Sequence, residues 1–381
     1  MMRKGMYTYA WDLQEEGVDV VAGRLRDAGL DTVSLATSYH AGKFLRPHAP
    51  IRKVHFTEDG TVYFQPDFSR YGRIKPRVAN IVDQFDALRE LERKAPDLNR
   101  VGWTVGLHNT PLGQEYPDLT AKTAFGDPLY NSLCPSQPDV RNYLISLCAD
   151  LGANYDLSEL AIETPGWQAY RHGHHHEFEL VALPFSVEIM LGTCFCDACR
   201  SDANAKGIDA NGLAAATRRE LERFFFDGTT PSIDPKKDPE WRALHAWRAE
   251  VVANLVCETR AELNQDVSLA IIPTVQSPNA LCWSEGSDLS LLAEAADRLE
   301  VPAYQTGVPA ISADVAEVRK GVGDDAQLGF ILRPTYPNLH NADEVSAAVK
   351  VLIDAGATSI SFYNYGHMRL QSLDWIKAAL S

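Results

Sequence analysis

The sequence predicts a (β/α)8 barrel, and three observations favour this fold class. Candidate strands and helices alternate along the whole 381-residue chain. In its last third, strands starting near residues 267, 299, 327 and 358 follow at intervals of about 30 residues, the length of one βα unit. The competing fold, a doubly wound open sheet, usually carries a glycine-rich phosphate loop after its first strand. Here Asp12-Leu13-Gln14-Glu15-Glu16-Gly17 follows instead.

Apolar and β-branched runs in the first half predict strands over residues 6–11, 32–38, 101–107 and 157–162. Helical spacing predicts a first helix with Val18, Val21 and Leu25 on its buried side, ending at Gly29. Further helices are expected over 81–94 and 140–151. Between the second strand and its helix, residues 53–56 and 62–65 flank Asp59-Gly60, a pattern that predicts a β-hairpin.

The second half is more regular after a long insertion. Strands are predicted over 267–272, 299–304, 327–332 and 358–363, and helices over 289–296, 313–322 and 370–380. Asn341 and Glu344 form a capping box for the remaining helix, which ends at Ala355-Gly356. The insertion contains helices over 213–226 and 241–264. We therefore predict one barrel domain over 1–381 with long insertions after strands 2, 3 and 4, including a His/Cys-rich helical subdomain at about 165–264.

Charge and composition exclude several classes of partner. Subtracting 51 acidic from 36 basic residues gives a net charge of −15, and the chain has no basic patch for nucleic acid. The sequence contains no run of 18 apolar residues, so we expect no membrane-spanning segment. The basic N-terminus lacks the apolar segment of a signal peptide, and the odd number of cysteines, seven, does not indicate a disulfide framework. We expect a cytoplasmic protein without nucleic-acid or membrane partners.

The segment Cys194-Phe195-Cys196-Asp197-Ala198-Cys199 brings three thiols together at a spacing that suits tetrahedral zinc. The fourth ligand could be Cys134 or a histidine of the nearby cluster 172–176. A closed thiolate site would be structural rather than catalytic.

Glu163 is the strongest single candidate for catalysis. Active sites of these barrels lie at the carboxyl ends of the strands, and Glu163 follows the apolar run Leu160-Ala161-Ile162 at such an end. Burial at an apolar barrel mouth raises the pKa of a carboxyl group, which suits a general acid.

The other strand ends supply aromatic, amide and imidazole side chains. Such a set suits a neutral polyhydroxy ligand, so we expect a small carbohydrate substrate. The predicted substrate-binding residues are Trp11, His40, His108, Asn109, Trp167, His174, Tyr304, Arg333, Tyr363 and Asn364. The stretch His172-Gly173-His174-His175-His176 either gives imidazoles to substrate or to a catalytic metal, or forms a solvated loop that supports Glu163.

The order of motifs in this part of the chain resembles that of family 42 beta-galactosidases of the clan A glycoside hydrolases and related barrels. The motifs are, in order, Cys134-Pro135-Ser136-Gln137-Pro138-Asp139-Val140-Arg141, a helix, Glu163 at a strand end, and the cysteine cluster. The resemblance covers residues 130–225 in detail. It implies that Cys134 joins Cys194, Cys196 and Cys199 to hold a structural zinc, and that Glu163 is the acid/base. Two positions differ from the family: Ile162 replaces an asparagine, and Leu332-Arg333-Pro334-Thr335-Tyr336 lacks the nucleophilic glutamate.

These observations predict a glycoside hydrolase-like enzyme with Glu163 as general acid. The second carboxylate could be Asp12, Glu285 or Glu300. The alternatives are a sugar isomerase, epimerase or lyase that uses His and Glu for proton transfer, and a non-catalytic sugar-binding barrel. We also expect a homo-oligomer, because the related galactosidases form oligomers and the insertion helices carry surplus apolar residues, namely Phe224, Phe225, Phe226, Trp241 and Trp247.

Overall fold

The computed structural model describes residues 2–381 and confirms the closed eight-stranded parallel barrel. The first strand pairs with both the second and the last, which closes the sheet on itself. The barrel strands are β1 (Arg3–Thr8), β2 (Thr32–Tyr39), β3 (Asn99–Val105), β4 (Glu159–Glu163), β5 (Ser268–Ile272), β6 (Arg298–Ala303), β7 (Leu328–Leu332) and β8 (Ser359–Phe362).

Helices alternate with these strands around the barrel. The helices that follow the successive strands are Val18–Asp27, Ala87–Lys94, Pro138–Asn154, Pro239–Glu262, Leu289–Ala295, Val308–Val322, Ala342–Asp354 and Gln371–Leu380. Additional helices are Ala10–Glu16, Thr110–Glu115, Phe185–Gly192, Asp197–Ala205 and Ala210–Asp227. Short 3-10 turns are Phe68–Arg70, Asn80–Asp83, Pro117–Leu119, Asn279–Glu285 and Tyr365–His367. Within residues 2–381, no helix combines the length and the apolar character needed to cross a membrane.

The first strand lies earlier than the sequence predicted. It ends at Thr8 rather than at Trp11, and a helix begins at Ala10. The cause is local, because the Asp12 carboxylate accepts a hydrogen bond of 3.4 Å from the backbone N–H of Tyr9 and completes the first helical turn. Trp11 therefore lies on a helix beside the barrel mouth.

The predicted hairpin between 53–56 and 62–65 is wrong. Val54–Phe56 pairs instead with Lys43–Leu45, and Thr61–Val62 runs antiparallel to the carboxyl end of β2. The latter pairing places both residues of Thr61–Val62 in buried positions, which a local hairpin would not provide. Elsewhere in the insertions, Arg77–Val78 pairs with Thr61–Val62, and Thr120–Lys122 pairs with Pro128–Leu133.

The helix predicted over 81–94 is shorter. It begins at Ala87, after Asp86 accepts a hydrogen bond of 3.2 Å from the backbone N–H of Arg89. Of the capping box predicted for the helix Ala342–Asp354, the N-cap half is present, since the Asn341 side chain accepts a hydrogen bond of 2.9 Å from the backbone N–H of Glu344. The Glu344 side chain instead accepts a hydrogen bond of 2.8 Å from the backbone N–H of His340.

Alternate residues of β4 face the barrel interior in three layers. At the amino end, Glu159 pairs with Arg3 at 2.9 Å and with Arg298. In the middle, Ala161 packs with apolar side chains of β3 and β5. At the carboxyl end, Glu163 contacts Trp103. The strand period of two therefore places one acidic residue at each end of the barrel interior, Glu159 at the amino end and Glu163 at the mouth.

The segment between β4 and β5 carries the largest insertion, with three helices ahead of Pro239–Glu262. Of the aromatic side chains expected to be surplus there, Phe224, Trp241 and Trp247 are buried. Phe225 and Phe226 are 50% and 91% exposed. The core of the protein therefore covers part of this apolar surface and leaves the end of the helix Ala210–Asp227 open.

Candidate active site

Glu163 is the last residue of β4, and its side chain lies at the barrel mouth. The indole N–H of Trp103, on the adjacent strand β3, donates a hydrogen bond of 2.7 Å to Oε2 of Glu163. Burial raises the pKa of Glu163 to about 7, against the lowering effects of the Trp103 hydrogen bond and the Arg333 charge. A carboxyl group with this pKa holds its proton near neutral pH and can donate it.

Tyrosines surround this carboxyl group. The hydroxyl of Tyr363 lies 3.1 Å from that of Tyr9 and 3.5 Å from that of Tyr39. The Tyr39 ring packs edge-on against Trp103 at a centroid distance of 5.1 Å. The arrangement offers both aromatic faces and hydroxyl groups, which is the chemistry that a sugar ring binds.

Arg333 follows β7 and brings the one cation of this group. Its guanidinium carbon lies 3.8 Å from the ring centroid of Tyr304 and 5.4 Å from that of Tyr363. The charge of Arg333 also lowers the pKa of Glu163. The structure thus brings together four sequence-predicted residues, Glu163, Tyr304, Arg333 and Tyr363.

Glu285 lies next to this group. Its side chain is fully buried, and Gln276 donates to Oε1 at 3.4 Å, whereas Oε2 has no protein partner among residues 2–381. Burial raises the pKa of Glu285 to about 8, against the lowering effects of hydrogen bonds with Thr274 and Gln276, and the charge of Glu163 adds a smaller rise. Among the three candidates for the second carboxyl group, Glu285 is therefore the one whose pKa is raised by the charge of Glu163.

Asp12 and Glu300 occupy other environments. Asp12 is buried in an ion pair with Arg46, with 3.0 Å between the guanidinium and Oδ1. Burial raises the pKa of Asp12 to about 6, while Arg46 lowers it. Glu300 accepts hydrogen bonds of 2.8 and 2.7 Å from Ser359 and Ser361, inside the barrel. Both carboxylates are held by structural partners.

Two predicted substrate-binding tryptophans are buried in the scaffold. Trp11 stacks on Tyr9 at a centroid distance of 4.3 Å. Trp167 is fully buried, and the Arg248 guanidinium lies 4.5 Å from its ring centroid.

The two predicted asparagines cap local turns. Asn109 accepts a hydrogen bond of 3.0 Å from the Leu112 N–H and donates one of 3.0 Å to the Gly60 carbonyl. Asn364 accepts one of 3.1 Å from the Gly366 N–H. His174 is exposed on the insertion loop.

Three histidines meet at the same end of the barrel. His40 follows β2, His108 follows β3, and His172 comes from the loop after β4. The rings of His40 and His108 stack at 4.2 Å, and one ring nitrogen from each of the three lies within 4.8 Å of the others. Burial lowers the pKa of His172 to about 4 and that of His108 well below its usual value, so these imidazoles are neutral at pH 7.

The four predicted cysteines form a buried cluster. Sγ of Cys134 lies 3.9, 3.7 and 3.4 Å from Sγ of Cys194, Cys196 and Cys199. A regular tetrahedron with Zn–S bonds of about 2.3 Å has S···S edges of about 3.8 Å. The donor set and its dimensions therefore fit a metal with four thiolate ligands.

A buried cation stands beside the cluster. Arg248 is 1% exposed, donates to the Ser284 carbonyl at 3.2 Å, and has no partner for Nε among residues 2–381. Burial lowers the pKa of Arg248, and negative charge on three of the four cysteines opposes that change. A divalent metal with four thiolates carries a net charge of −2, which would compensate this buried arginine.

No family model matches the sequence, and no curated protein matches it significantly. Solved structures do match. The glycoside hydrolase domain of PgaB (BpsB) from Bordetella bronchiseptica superposes with a TM-score of 0.60 at 14% identity, over 95% of this chain and 94% of that one. The likeness shows the fold.

Two longer enzymes show the same barrel. Alpha-L-fucosidase isoenzyme 2 from Paenibacillus thiaminolyticus matches with a TM-score of 0.59 and 11% identity, and the beta-galactosidase from the psychrophilic Marinomonas ef1 with 0.58 and 10%. The chain is covered completely in both comparisons but spans only 49% and 59% of those proteins. The structural neighbours are thus glycoside hydrolases of several kinds.

Sequence reasoning missed Trp103 and Tyr9 as parts of the site. Trp103 lies within β3 rather than at its end, and a rule that selects strand ends overlooks it. The signal was strand parity, since Val101, Trp103 and Val105 alternate along one face of the strand. Tyr9 follows the same parity from Gly5 and Tyr7 on β1.

Proposed function

We propose that this protein is a glycoside hydrolase-like enzyme that acts on a small glycoside or oligosaccharide, with Glu163 as its general acid. The observation that carries the proposal is the carboxyl group of Glu163, held by Trp103 at the barrel mouth with a pKa of about 7. The occurrence of the same barrel in several glycoside hydrolases supports it.

In this proposal the tyrosine-lined mouth binds the sugar ring. Glu163 gives its proton to the glycosidic oxygen as that bond breaks, and a water molecule adds to the anomeric carbon and releases one proton, which restores the acid. Glu285 is the best-placed second carboxyl group. Its pKa of about 8 keeps it protonated at pH 7, and its side chain is fully buried, so it would not act as an ionised nucleophile on the substrate. The absence of a carboxylate in the segment after β7, residues 333–336, fits this departure from the two-carboxylate retaining mechanism.

The test compares wild type with Glu163→Gln on a panel of nitrophenyl glycosides and on natural oligosaccharides. Loss of a general acid should lower kcat by about 10²–10⁴-fold on natural substrates. Nitrophenyl glycosides should lose less, because their leaving group departs without a proton. Glu177→Gln, an exposed glutamate on the insertion loop, is the matched control and should keep full activity. Small and equal losses on both kinds of substrate would remove Glu163 from the role of acid.

A second candidate, a sugar isomerase, epimerase or lyase, is favoured by the three neutral histidines at the barrel mouth. Product analysis separates the two reactions, because hydrolysis releases two molecules and isomerisation keeps the mass of the sugar. Binding of sugars without turnover would favour a non-catalytic barrel instead.

We further propose that Cys134, Cys194, Cys196 and Cys199 hold a structural zinc. The support is the fit of the S···S distances and the buried Arg248 beside the cluster. A filled thiolate shell leaves no open position for substrate, so the metal would stabilise the insertion after β4. We also propose a homo-oligomer, because an interface between copies would cover the exposed apolar side chains at the end of the helix Ala210–Asp227.

A further inference from the structure

We infer that His40, His108 and His172 form a second metal site, one that binds a zinc-like divalent transition-metal ion at the rim of the barrel mouth. One ring nitrogen from each residue lies within 4.8 Å of the other two. The three come from different segments, the ends of β2 and β3 and the loop after β4. Such convergence of imidazoles from distant parts of the chain is the arrangement of a three-histidine metal centre.

Hydrogen bonds to backbone carbonyls determine which ring nitrogen carries the proton in two of the three histidines. Nδ1 of His40 lies 2.8 Å from the carbonyl oxygen of Ala41, and Nε2 of His108 lies 3.0 Å from that of Gly173. A carbonyl accepts only, so each of these nitrogens carries the proton. The other nitrogen of each ring, Nε2 of His40 and Nδ1 of His108, therefore presents a lone pair. Backbone carbonyls fix metal-binding histidines in this way in known sites.

The third ligand, His172, lies on a loop whose backbone packs closely against the ring of His108. Gly173 has φ of 91°, a conformation that favours glycine, and a Cβ at this position would collide with Nε2 of His108. The Asn131 side chain donates a hydrogen bond of 2.9 Å to the His172 carbonyl. His172 is thereby held against the other two imidazoles rather than left free in solvent.

The donor set selects the ion. Three nitrogen ligands suit zinc, cobalt, nickel or copper and do not suit calcium or magnesium, which take oxygen ligands. Three protein ligands also leave one position of a tetrahedral ion open, in contrast to the closed cysteine cluster. The His40 ring stacks on Tyr39 at 4.4 Å, which places this metal next to the tyrosines of the proposed sugar site.

The test measures bound metal, so it does not depend on any glycosidase activity. Tag-free wild type, His40→Ala and His172→Ala are dialysed to equilibrium against micromolar Zn²⁺, and zinc per chain is determined. Each variant should bind one zinc fewer than wild type, or bind it at least about tenfold more weakly. His175→Ala changes an exposed histidine of the same loop and should bind as much zinc as wild type.

A spectroscopic titration of the wild type removes any dependence on how the variants fold. Co²⁺ is added to wild type that has been dialysed against metal-free buffer, so that zinc is kept only in the closed cysteine site and the histidine site is empty. Visible d–d bands should develop without a thiolate-to-metal charge-transfer band. Zinc contents that are equal in wild type and both variants would overturn the inference. A Co²⁺ spectrum with thiolate bands only, or no bound Co²⁺, would overturn it as well.

Discussion

The indole N–H of Trp103 donates a hydrogen bond of 2.7 Å to Oε2 of Glu163, across the neighbouring strands β3 and β4. This bond favours the ionised carboxylate, whereas burial favours the protonated acid. Burial has the larger effect, and the pKa of Glu163 settles near 7. The Trp103 hydrogen bond, together with the charge of Arg333, therefore lowers a pKa that burial alone would place higher.

Replacing Trp103 by phenylalanine should move the pH profile of kcat/KM. An acid catalyst works while protonated, so activity should fall as pH rises through about 7 in the wild type. Trp103→Phe removes the hydrogen bond that favours ionisation, and the falling limb should move to higher pH. The variant should also lose about 1–3 kcal/mol of stability, because a buried carboxyl group loses its partner.

Trp241→Phe is the matched control for this experiment. Trp241 is also fully buried, and its indole nitrogen has no partner among residues 2–381. The Trp241→Phe variant should lose stability through poorer packing, and its pH profile of kcat/KM should match that of the wild type. A profile that stays in place in Trp103→Phe would show that the hydrogen bond does not adjust Glu163.

The barrel could be predicted because its signals are local. Each strand from β5 to β8 is a short apolar run, and the helix Ala342–Asp354 begins at a capping residue, Asn341, that the sequence displays. The N-terminal boundary was wrong because Asp12 and Tyr9 form a turn that overrides the β propensity of the aromatic run. The hairpin was wrong because Thr61–Val62 found a distant partner, β2.

The residues that the structure brings together in the candidate site were predictable where the rule of strand ends applies, as at Glu163 and Arg333. It was not predictable where tertiary packing decides whether a polar side chain faces the mouth. Trp167 and Asn109 follow strands as the rule requires, but one packs under Arg248 and the other caps a helix. Glu285 lies in a 3-10 turn thirteen residues after β5, and only the folded chain shows that it lies close enough to Glu163 for that charge to raise its pKa.

Removing one ligand of the cysteine cluster should cost both metal and stability. Cys196→Ser should lower the zinc content by about one ion per chain and the Tm by about 5 °C or more, because metal binding contributes to folding. Cys148→Ser is the matched control, since Cys148 is equally buried but lies outside the cluster. Metal-free wild type with an unchanged Tm in chelator would contradict the proposal.

Light scattering should give a mass that is a multiple of 42.1 kDa. Phe226 is 91% exposed at the end of the helix Ala210–Asp227, and an interface would bury it. Phe226→Asp should shift the mass to that of a single chain. Ile353→Asp, at an exposed apolar residue on the helix Ala342–Asp354, should leave the mass unchanged. A monomeric wild type at micromolar concentration would contradict the expectation.

The last prediction concerns Glu285 and the pH dependence of stability. Its pKa rises from 4.5 to about 8 on folding, mainly through burial. Between these two values the folded protein keeps a proton that the unfolded chain has released. The free energy of unfolding must therefore fall as pH rises through this window, and Glu285 gives its full contribution only below it.

Glu285→Gln should remove this pH dependence, because glutamine resembles the protonated acid in shape and does not titrate. The variant should be within about 1 kcal/mol of wild type at pH 5 and more stable than wild type by about 2–4 kcal/mol at pH 8, since each pKa unit corresponds to about 1.4 kcal/mol. Urea unfolding at a series of pH values measures both free energies. Glu163→Gln serves as the internal comparison. Because the pKa of Glu163 is about 7, the gain in free energy of unfolding in Glu163→Gln should level off above pH 7, whereas the gain in Glu285→Gln should continue to grow up to pH 8. If the two stability curves of Glu285→Gln and wild type stayed parallel across this range, Glu285 would be ionised in the folded protein, and the proposal that it stays protonated at pH 7 would be wrong.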